Sequence, residues 1–400
     1  MEVKAGYKMT EVGVIPEDWE VGCLSRYWTV TDCKHVTARF IVNGHLIASI
    51  KEVQSRFINL TNAKQTTLQF YNLLIEGGRK PRVGDLIMSR NATVGEVAQV
   101  AKWHPPFAMG QDVCLLRKKT QEFSTDYLQS VFRSSIIANQ LSDLMVGSTF
   151  KRANVQQIKN FIVPMPSPPE QQAIAETLSD VDALIESFEQ LIAKKRNIKQ
   201  GAMQELLTGK RRLPGFSGEW EVKRLGEVAE IIMGQSPSST HYNNKGVGLP
   251  LIQGNADISN RMAIKRVFTA VVTKRGRCGD ILMSVRAPVG EISRAVFDVC
   301  LGRGVCAIRY SNDYLYHALI AKEPAWATLS KGSTFDSVNS TDVNAFIIKL
   351  PKDESEQTAI AAILTDMDTE IAALKTKLAK AHKVKQGMMQ ELLTGRIRLV

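Results

Sequence analysis

Apolar residues recur with a regular spacing in two long stretches of the chain. The spacing alternates between four and three residues and produces two matching sets of positions: Ile174, Leu178, Val181, Ile185, Phe188 and Ile192, and Ile360, Leu364, Met367, Ile371, Leu374 and Leu378. This spacing is that of the a and d positions of a coiled coil. Each stretch therefore predicts a long amphipathic helix, and we expect the two apolar stripes to cover each other.

The two helical stretches belong to a sequence repeat. Residues 170–213 and 356–399 align without a gap and are identical at 23 of 44 positions. Both copies contain LLTG near their ends, so Gly209 and Gly395 are predicted to be left-handed C-terminal caps. A repeat of this length indicates that the chain consists of two similar halves, each a domain followed by a long helix.

The starts of the helices also carry sequence signals. Ser167 is predicted to cap the first helix, with Pro168 at its first position and Glu170 completing a capping box. Asp353 and Glu356 occupy the same two roles in the second copy. Both helices are therefore expected to begin just before the EQ dipeptide of each repeat.

The segments that precede the helices share further landmarks. Residues 83–97 (VGDLIMSRNATVGEV) and 278–292 (CGDILMSVRAPVGEI) each indicate a strand, a turn and a second strand. Trp19 and Trp220 lie in matching DWEV and EWEV contexts near the start of each domain. Each segment is therefore predicted to be a mixed α/β domain.

The predicted fold class is α+β, with two α/β domains joined by two long helices. The domains cover residues 1–166 and 214–352, and the helical segments cover residues 167–213 and 353–400. If a pseudo-two-fold axis relates the halves, the helices form an intramolecular antiparallel coiled coil.

Composition limits the class of protein. The chain has 44% hydrophobic residues and a net charge of +11, most of it in the two domains. A basic excess suits a polyanion such as DNA, although a basic protein without that role has the same composition. The polar Met1–Thr10 segment predicts no signal peptide, and no apolar run is long enough for a membrane span. With six cysteines and no CxxC pair, a reducing cytoplasm is the expected compartment.

Catalytic motifs are missing from the sequence. The string HPPF at 104–107 has histidine where a DNA methylase needs asparagine or aspartate, and no GxxxxGK[ST] phosphate loop is present. Glu221 and Lys223 match a nuclease-like spacing that is common by chance. The six histidines have no metal-ligand spacing. We therefore predict a recognition or scaffold protein that is not an enzyme and holds no metal or cofactor of its own.

The order of these features resembles that of a known family. Two domains, each followed by a long helix ending in LLTG, together with the opening YKMTEVGVIPEDWEV and a GSTF loop before each helix, resemble the specificity subunit of type I restriction-modification systems. The resemblance covers essentially the whole chain. The segment at 234–246 (GQSPSSTHYNNKG) also resembles a loop common in the family, and the first domain lacks it.

The resemblance implies a function and a set of partners. The domains would be target recognition domains, each reading one half of a bipartite site in double-stranded DNA. The helices, known as the central and C-terminal conserved regions, would set the spacer and dock two methylation subunits that bind S-adenosylmethionine. Restriction subunits that use ATP and Mg²⁺ would attach to that core. Sequence specificity and DNA methylation would thus be divided between different chains.

The candidate DNA contacts lie in the GSTF loops, after the matching strands and in the loops that differ between domains. Hydroxyl groups and N–H groups suit phosphate or base edges, arginine suits guanine, and asparagine suits adenine. The candidates are Ser148, Thr149, Lys151, Arg152, Arg90, Asn91, Ser333, Thr334, Arg286, Gln235, Ser238, Gln253 and Asn255. The alternatives are a GST turn that only caps the next helix and loop charges that only face water.

The candidate docking residues are apolar positions outside the coiled-coil stripe. They are Leu184, Leu191, Ile198, Leu206, Leu207, Leu392 and Leu393. They could meet a second protein, or they could only thicken the internal helix pair. Two other functions also stay open: a two-headed DNA-binding regulator without enzyme partners, and a coiled-coil adaptor that does not bind DNA.

Overall fold

The computed structural model describes residues 4–145, 152–330 and 337–399. They form two compact units, which we call unit 1 (Met1–Phe188 with Lys377–Val400) and unit 2 (Glu189–Thr376). Each unit combines one domain with a portion of each long helix. Each copy of the sequence repeat is therefore divided, with one part in unit 1 and the other part in unit 2. The division of the sequence into four segments stays a prediction.

Unit 1 contains the first twelve strands and the first five helices. The strands are β1 (Tyr7–Thr10), β2 (Gly13–Pro16), β3 (Glu20–Cys23), β4 (Trp28–Asp32), β5 (Phe40–Ile41), β6 (His45–Ala48), β7 (Lys64–Thr66), β8 (Leu86–Ser89), β9 (Val97–Gln99), β10 (Phe107–Met109), β11 (Val113–Lys118) and β12 (Ile162–Met165). The helices are α1 (Leu24–Tyr27), α2 (Leu68–Ile75), α3 (Thr125–Phe132), α4 (Ser135–Met145) and α5 (Val155–Lys159). The long helix α6 (Pro168–Leu206) begins in this unit.

Unit 2 repeats this plan with its own connections. Its strands are β13 (Trp220–Arg224), β14 (Glu230–Met233), β15 (Tyr242–Asn243), β16 (Leu249–Ile252), β17 (Ile258–Ser259), β18 (Met262–Ala263), β19 (Phe268–Thr269), β20 (Arg275–Gly276), β21 (Ile281–Ser284), β22 (Ile292–Arg294), β23 (Val299–Leu301), β24 (Val305–Arg309) and β25 (Ile347–Pro351). Its helices are α7 (Leu225–Val228), α8 (Tyr314–Ala321), α9 (Glu323–Ser330) and α10 (Ser340–Ala345). The second long helix, α11 (Glu354–Leu392), begins in unit 2.

Each unit contains its own antiparallel sheet with a corresponding strand order. Its order is β4-β11-β8-β9 in unit 1, and unit 2 contains the corresponding order β14-β24-β21-β22 within a longer sheet. All four residues of β8 and of β21 are buried, which explains why these strands are continuously apolar apart from a final serine. A second sheet in each unit contains one parallel pair, β6 with β10 and β16 with β23. The mixed α/β prediction for each domain is confirmed.

The long helices pack against each other in opposite directions within each unit. In unit 1 the first part of α6 meets the last part of α11, with Asp182 and Lys385 paired at 2.5 Å. In unit 2 the partners exchange roles, and Asp368 pairs with Lys199 at 2.5 Å. Most positions of the predicted a and d stripes are buried. The antiparallel coiled coil predicted from the apolar spacing is confirmed, because burying both stripes removes them from water.

The repeated EQ and RL residues hold each domain to the helices. In unit 1 Glu170 is completely buried and accepts hydrogen bonds from Arg398 and from the Trp19 indole at 3.0 Å. In unit 2 buried Glu356 accepts hydrogen bonds from Nε and Nη2 of Arg212, at 2.6 and 2.7 Å. The predicted capping boxes are therefore wrong, because both carboxylates neutralise an arginine instead of capping the helix.

The predictions for the two glycine caps and for Asp353 are confirmed, and the Ser167 cap stays a prediction. Gly209 and Gly395 have φ values of 71° and 64°, in the left-handed region that favours glycine. Asp353 accepts the Ser355 N–H at 2.8 Å, and its bonds with Ser355 lower the pKa of its carboxyl. Within the described ranges, the long helices are too polar for any of them to cross a membrane.

Candidate nucleic-acid interface

Three turns of unit 2 meet at one edge of its sheets. The turn at 302–304 joins β23 to β24, and the Gly302 N–H donates to the Ile252 carbonyl at 2.8 Å. The Gln235 N–H donates to the Leu301 carbonyl at 2.9 Å, which ties the end of β14 to the same place. The edge is thus built from backbone hydrogen bonds between turns that are far apart in sequence.

Close backbone approach at this edge requires glycine. A Cβ on Gly304 would lie 2.0 Å from the Gln253 carbonyl oxygen, and one on Gly234 would lie 2.0 Å from the Gly302 carbonyl oxygen. Any larger residue would push these turns apart. The glycines therefore fix where the neighbouring side chains emerge.

The structure brings together some of the candidates predicted in unit 2. Gln235 and Gln253 are exposed on the joined turns, and Arg286 is exposed just after β21. Ser238 caps a short turn at 239–241, and the Asn255 amide donates to Glu291 at 2.5 Å. The side chains of Gln235, Gln253 and Arg286 have no hydrogen-bond or ion-pair partner among the residues that the structure describes, whereas the Asn255 amide is already engaged.

Unit 1 has the corresponding edge with different side chains. The Gly110 N–H donates to the Ala48 carbonyl at 2.7 Å, and the Arg90 N–H donates to the Asp112 carbonyl at 2.8 Å. Arg152 is exposed and forms an ion pair with Asp112 at 3.2 Å. In unit 1 the corresponding backbone therefore carries Arg152, whose guanidinium is already paired with Asp112.

Arg90 is not exposed as its position after β8 suggested. Its side chain is 3% exposed and pairs with Asp32 at 2.6 Å, with the Cys33 sulfur 3.9 Å away. Val285 occupies the matching position in unit 2 and is also buried. Arg90 is thus an interior residue of unit 1, and Asp32 supplies the carboxylate that a buried guanidinium needs.

Asp32, Cys33 and His35 place possible metal ligands within 4.8 Å of one another. The Arg90 guanidinium occupies the Asp32 carboxylate, which is the hardest donor of the group. Burial raises the pKa of the Cys33 thiol and so disfavours the thiolate that a metal would need. The arrangement is better explained by an ion pair than by a metal centre.

The GSTF candidates lie outside the described residues, namely Ser148, Thr149, Lys151, Ser333 and Thr334. The residues that follow these loops are described, and they form isolated bridges from Arg152 to Asn91 and from Ser337 to Arg286. Asn91 is half-buried, and its side-chain oxygen accepts the Ala92 N–H at 2.9 Å. In both units the loop end is therefore tied to the turn that holds another candidate.

Two exposed residues at these edges were missed by sequence reasoning. Arg303 lies between Gly302 and Gly304, and Gln111 lies at the matching position in unit 1. The Gln111 amide donates to the Thr37 hydroxyl at 3.3 Å. A polar residue just after a glycine that ends a buried apolar strand is the signal that could have found both.

The docking candidates on the long helices fall into an exposed group and a buried group. Leu184, Leu191 and Ile198 are exposed on α6. Val384, which the sequence analysis did not single out, is exposed on α11 at the repeat position that corresponds to Ile198. Leu206 and Leu207 belong to the core of unit 2, and Leu392 and Leu393 belong to the core of unit 1. Each of these four leucines packs under the domain of the unit whose core contains it, so the structure leaves it no surface for a second protein.

Comparisons with known proteins cover most of the chain. A family model described as the type I restriction modification DNA specificity domain matches residues 49–195 and 217–383. The putative type I restriction enzyme MjaX specificity subunit of Methanocaldococcus jannaschii is 31% identical over 423 residues, covering 98% of this chain and 97% of that protein. The MjaIX specificity subunit of the same organism is 22% identical over 443 residues, covering 98% and 96%.

Solved structures have the same fold. One of them comes from work on the structural basis underlying complex assembly and conformational transition of the type I R-M system. It is 25% identical to this chain with a TM-score of 0.60, and the match covers 96% of this chain and 99% of that one. The type I restriction-modification S subunit from M. genitalium has a TM-score of 0.64 at 15% identity, with 98% of both chains covered. The second likeness shows the fold alone.

Proposed function

Because this chain belongs to the family of type I restriction-modification specificity subunits, we propose that each of its units reads one half of a bipartite DNA site. Relatives are named specificity subunits, which are the non-catalytic DNA-recognition components of these systems. The observation that carries the proposal is the pair of matching edges, which share a backbone scaffold and differ in their exposed side chains. Two readers of different half-sites need this combination.

The edges would act by contacting bases and phosphates of double-stranded DNA. Exposed Gln235, Gln253 and Arg286 have the donors and acceptors that base edges in the major groove recognise. The GSTF loops at 147–150 and 332–335 would add phosphate or base contacts beside them. The bound cofactors of the reaction, S-adenosylmethionine in methylation subunits and ATP with Mg²⁺ in restriction subunits, would belong to partner chains.

The helices would set the distance between the two half-sites. Inserting seven residues after Phe188 and seven after Thr376 adds two turns to each helix and keeps the apolar stripes in register. Each helix becomes about 10.5 Å longer. We expect methylome sequencing of a host with the complete system to show a bipartite motif, with both half-sites kept and about three more unread base pairs in the variant.

The same seven residues appended after Val400 form the control, and this variant should keep the original spacer. A motif that is not bipartite would count against the proposed function itself. An unchanged spacer in the double-insertion variant would show instead that the helices are not the ruler. A chain that binds its site tightly and acts without methylation subunits would favour the alternative of a stand-alone DNA-binding regulator.

The exposed apolar residues of the helices would dock the two methylation subunits, one on each unit. Ile198 in unit 2 and Val384 in unit 1 occupy matching repeat positions, and both are nearly half exposed. An exposed branched apolar side chain is stabilised when a partner covers it. The two matching positions agree with the two methylation subunits that the family implies.

We expect Ile198→Asp to remove one methylation subunit from the complex and Val384→Asp to remove the other. The double variant should bind neither, because a carboxylate at the contact stays without a partner. Native mass spectrometry of the co-purified complex counts the subunits. Val247→Asp changes an exposed valine in the domain of unit 2 and is the matched control. Full assembly of the double variant would place docking elsewhere.

A further inference from the structure

The arginines of unit 2 differ in whether the fold supplies them with an acidic partner. Seven of them form ion pairs with carboxylates of the same unit: Arg211, Arg212, Arg261, Arg266, Arg275, Arg294 and Arg309. Arg303 is exposed, and its side chain has no hydrogen bond or ion pair to the residues that the structure describes. A guanidinium without an internal partner is available to a ligand.

The backbone that carries Arg303 is held on several sides. The Arg303 N–H donates to the Ser236 hydroxyl oxygen at 3.0 Å. The Val285 N–H donates to the Gly304 carbonyl at 2.9 Å. The Val305 N–H closes the turn by donating to the Gly302 carbonyl at 3.2 Å. The turn is therefore positioned before any ligand binds, which reduces the entropy lost on binding.

The two glycines leave Arg303 as the side chain that this turn presents. A Cβ on Gly302 would lie 2.9 Å from the Gln253 Cγ, and one on Gly304 would lie 2.0 Å from the Gln253 carbonyl oxygen. The turn is thus pressed against its neighbour through bare backbone. Arg303 emerges beside exposed Gln253, at the edge already identified as the candidate DNA surface.

The matching turn of unit 1 has different chemistry. Gln111 stands in the place of Arg303, and Asp112 stands in the place of Gly304. The nearby Arg152 is paired with Asp112, and Arg90 is paired with Asp32. The edge of unit 1 therefore combines a neutral amide with neutralised arginines, whereas the edge of unit 2 keeps a free guanidinium.

We propose that Arg303 reads a guanine in the half-site recognised by unit 2. Its guanidinium would donate two hydrogen bonds to O6 and N7 of that base in the major groove, the geometry that arginine suits best. This inference rests on the proposed function, and it adds the base and the residue that reads it. The neutral Gln111 lacks this charge-assisted pairing, so the two half-sites differ in the chemistry of their contacts.

The test uses the full chain with its methylation subunits and a duplex that contains its methylated site. Arg303→Ala should weaken binding to that duplex by about tenfold or more and leave binding to unrelated duplexes unchanged. Replacing the guanine with 7-deazaguanine removes N7 alone. That replacement should weaken binding of the original protein and have no further effect on Arg303→Ala. Arg303→Lys should not restore binding, because lysine cannot form the two-bond fork.

Arg277→Ala is the matched control, since Arg277 is also an exposed arginine of unit 2. It lies before β21, whereas the candidate contact Arg286 follows that strand. The Arg277→Ala variant should leave the preference for the site unchanged. An equal loss on every duplex, with a weaker salt dependence, would identify a phosphate contact and overturn the inference. The inference would also be overturned if 7-deazaguanine had no effect on binding at any guanine of either half-site. If the original protein shows no preference for any bipartite site, the proposed function fails as well, and the two failures are thereby distinguished.

Discussion

Replacing Leu206 with aspartate is expected to unfold unit 2. Leu206 is 5% exposed and packs in the core of that unit with Leu207, Leu225 and Ile360. An ionised carboxylate there has no partner, and such a burial removes at least about 4–5 kcal/mol from the free energy of unfolding. Because domains are stable by about 5–15 kcal/mol, most of the stability of unit 2 would be lost.

Hydrogen exchange followed by mass spectrometry would locate this loss. Amides of β21 and β24 should exchange rapidly in Leu206→Asp, while those of unit 1 stay protected. Ile198→Asp is the matched control, since Ile198 is 47% exposed on the same helix in the same unit. It should change the free energy of unfolding by less than about 1 kcal/mol. Equal protection in both variants would contradict the assignment of Leu206 to the core.

A loss of methylation subunits in Leu206→Asp or Leu392→Asp would not by itself indicate a docking role for these leucines. Both leucines were candidates for docking, but Leu206 lies in the core of unit 2 and Leu392 in the core of unit 1. A variant that loses its partner because a unit unfolds gives no information about docking. Ile198 and Val384 avoid this ambiguity, since both are exposed on the helices.

Replacing Arg398 with alanine is expected to destabilise unit 1 by about 3–5 kcal/mol, because it leaves a buried carboxylate without its cation. Glu170 is completely buried, and Arg398 binds both of its oxygens while also pairing with Asp18 at 2.8 Å. The hydrogen bonds with Glu170, and then those with Asp18, raise the pKa of Arg398. The Trp19 indole alone cannot replace this positive charge.

Chemical denaturation with tryptophan fluorescence would measure the effect. Arg396→Ala is the control, because its ion pair with Glu391 is 3.5 Å long and lies on the surface. That pair is worth about 0–1 kcal/mol. Adding Glu170→Gln to Arg398→Ala removes the unpaired charge and should recover part of the loss. A single variant as stable as Arg396→Ala would show that Arg398 does not hold unit 1 together.

Under the proposed function, the matching edges would let two similar domains serve different half-sites. Gly110 and Gly302 keep the same close approach to a neighbouring turn, so the scaffold is maintained. The adjacent Gln111 and Arg303 differ, as do the buried Arg90 and Val285. Substitutions at exposed turn positions change the ligand chemistry at little cost to folding, whereas substitutions of the glycines would disturb the backbone.

Local patterns in the sequence determined the long helices and their pairing. The apolar spacing that begins at Ile174 and Ile360 requires a covered stripe, and Gly209 and Gly395 end the helices because only glycine adopts their backbone conformation easily. These signals act between residues a few positions apart. The matching strand and turn segments at 83–97 and 278–292 were predictable for the same reason.

Only the tertiary structure decided which partner each side chain meets. Glu170 was predicted to cap its own helix, yet it binds Arg398, which is 228 residues away. Leu206 and Ile198 are both apolar positions of one helix, and only the position of the domain shows that the first is core and the second is exposed. Arg90 finds Asp32, whereas Arg303 finds no carboxylate among the described residues. Such differences depend on contacts between distant segments, because burial and charge pairing are fixed by the packing of the whole unit and are invisible to local periodicity.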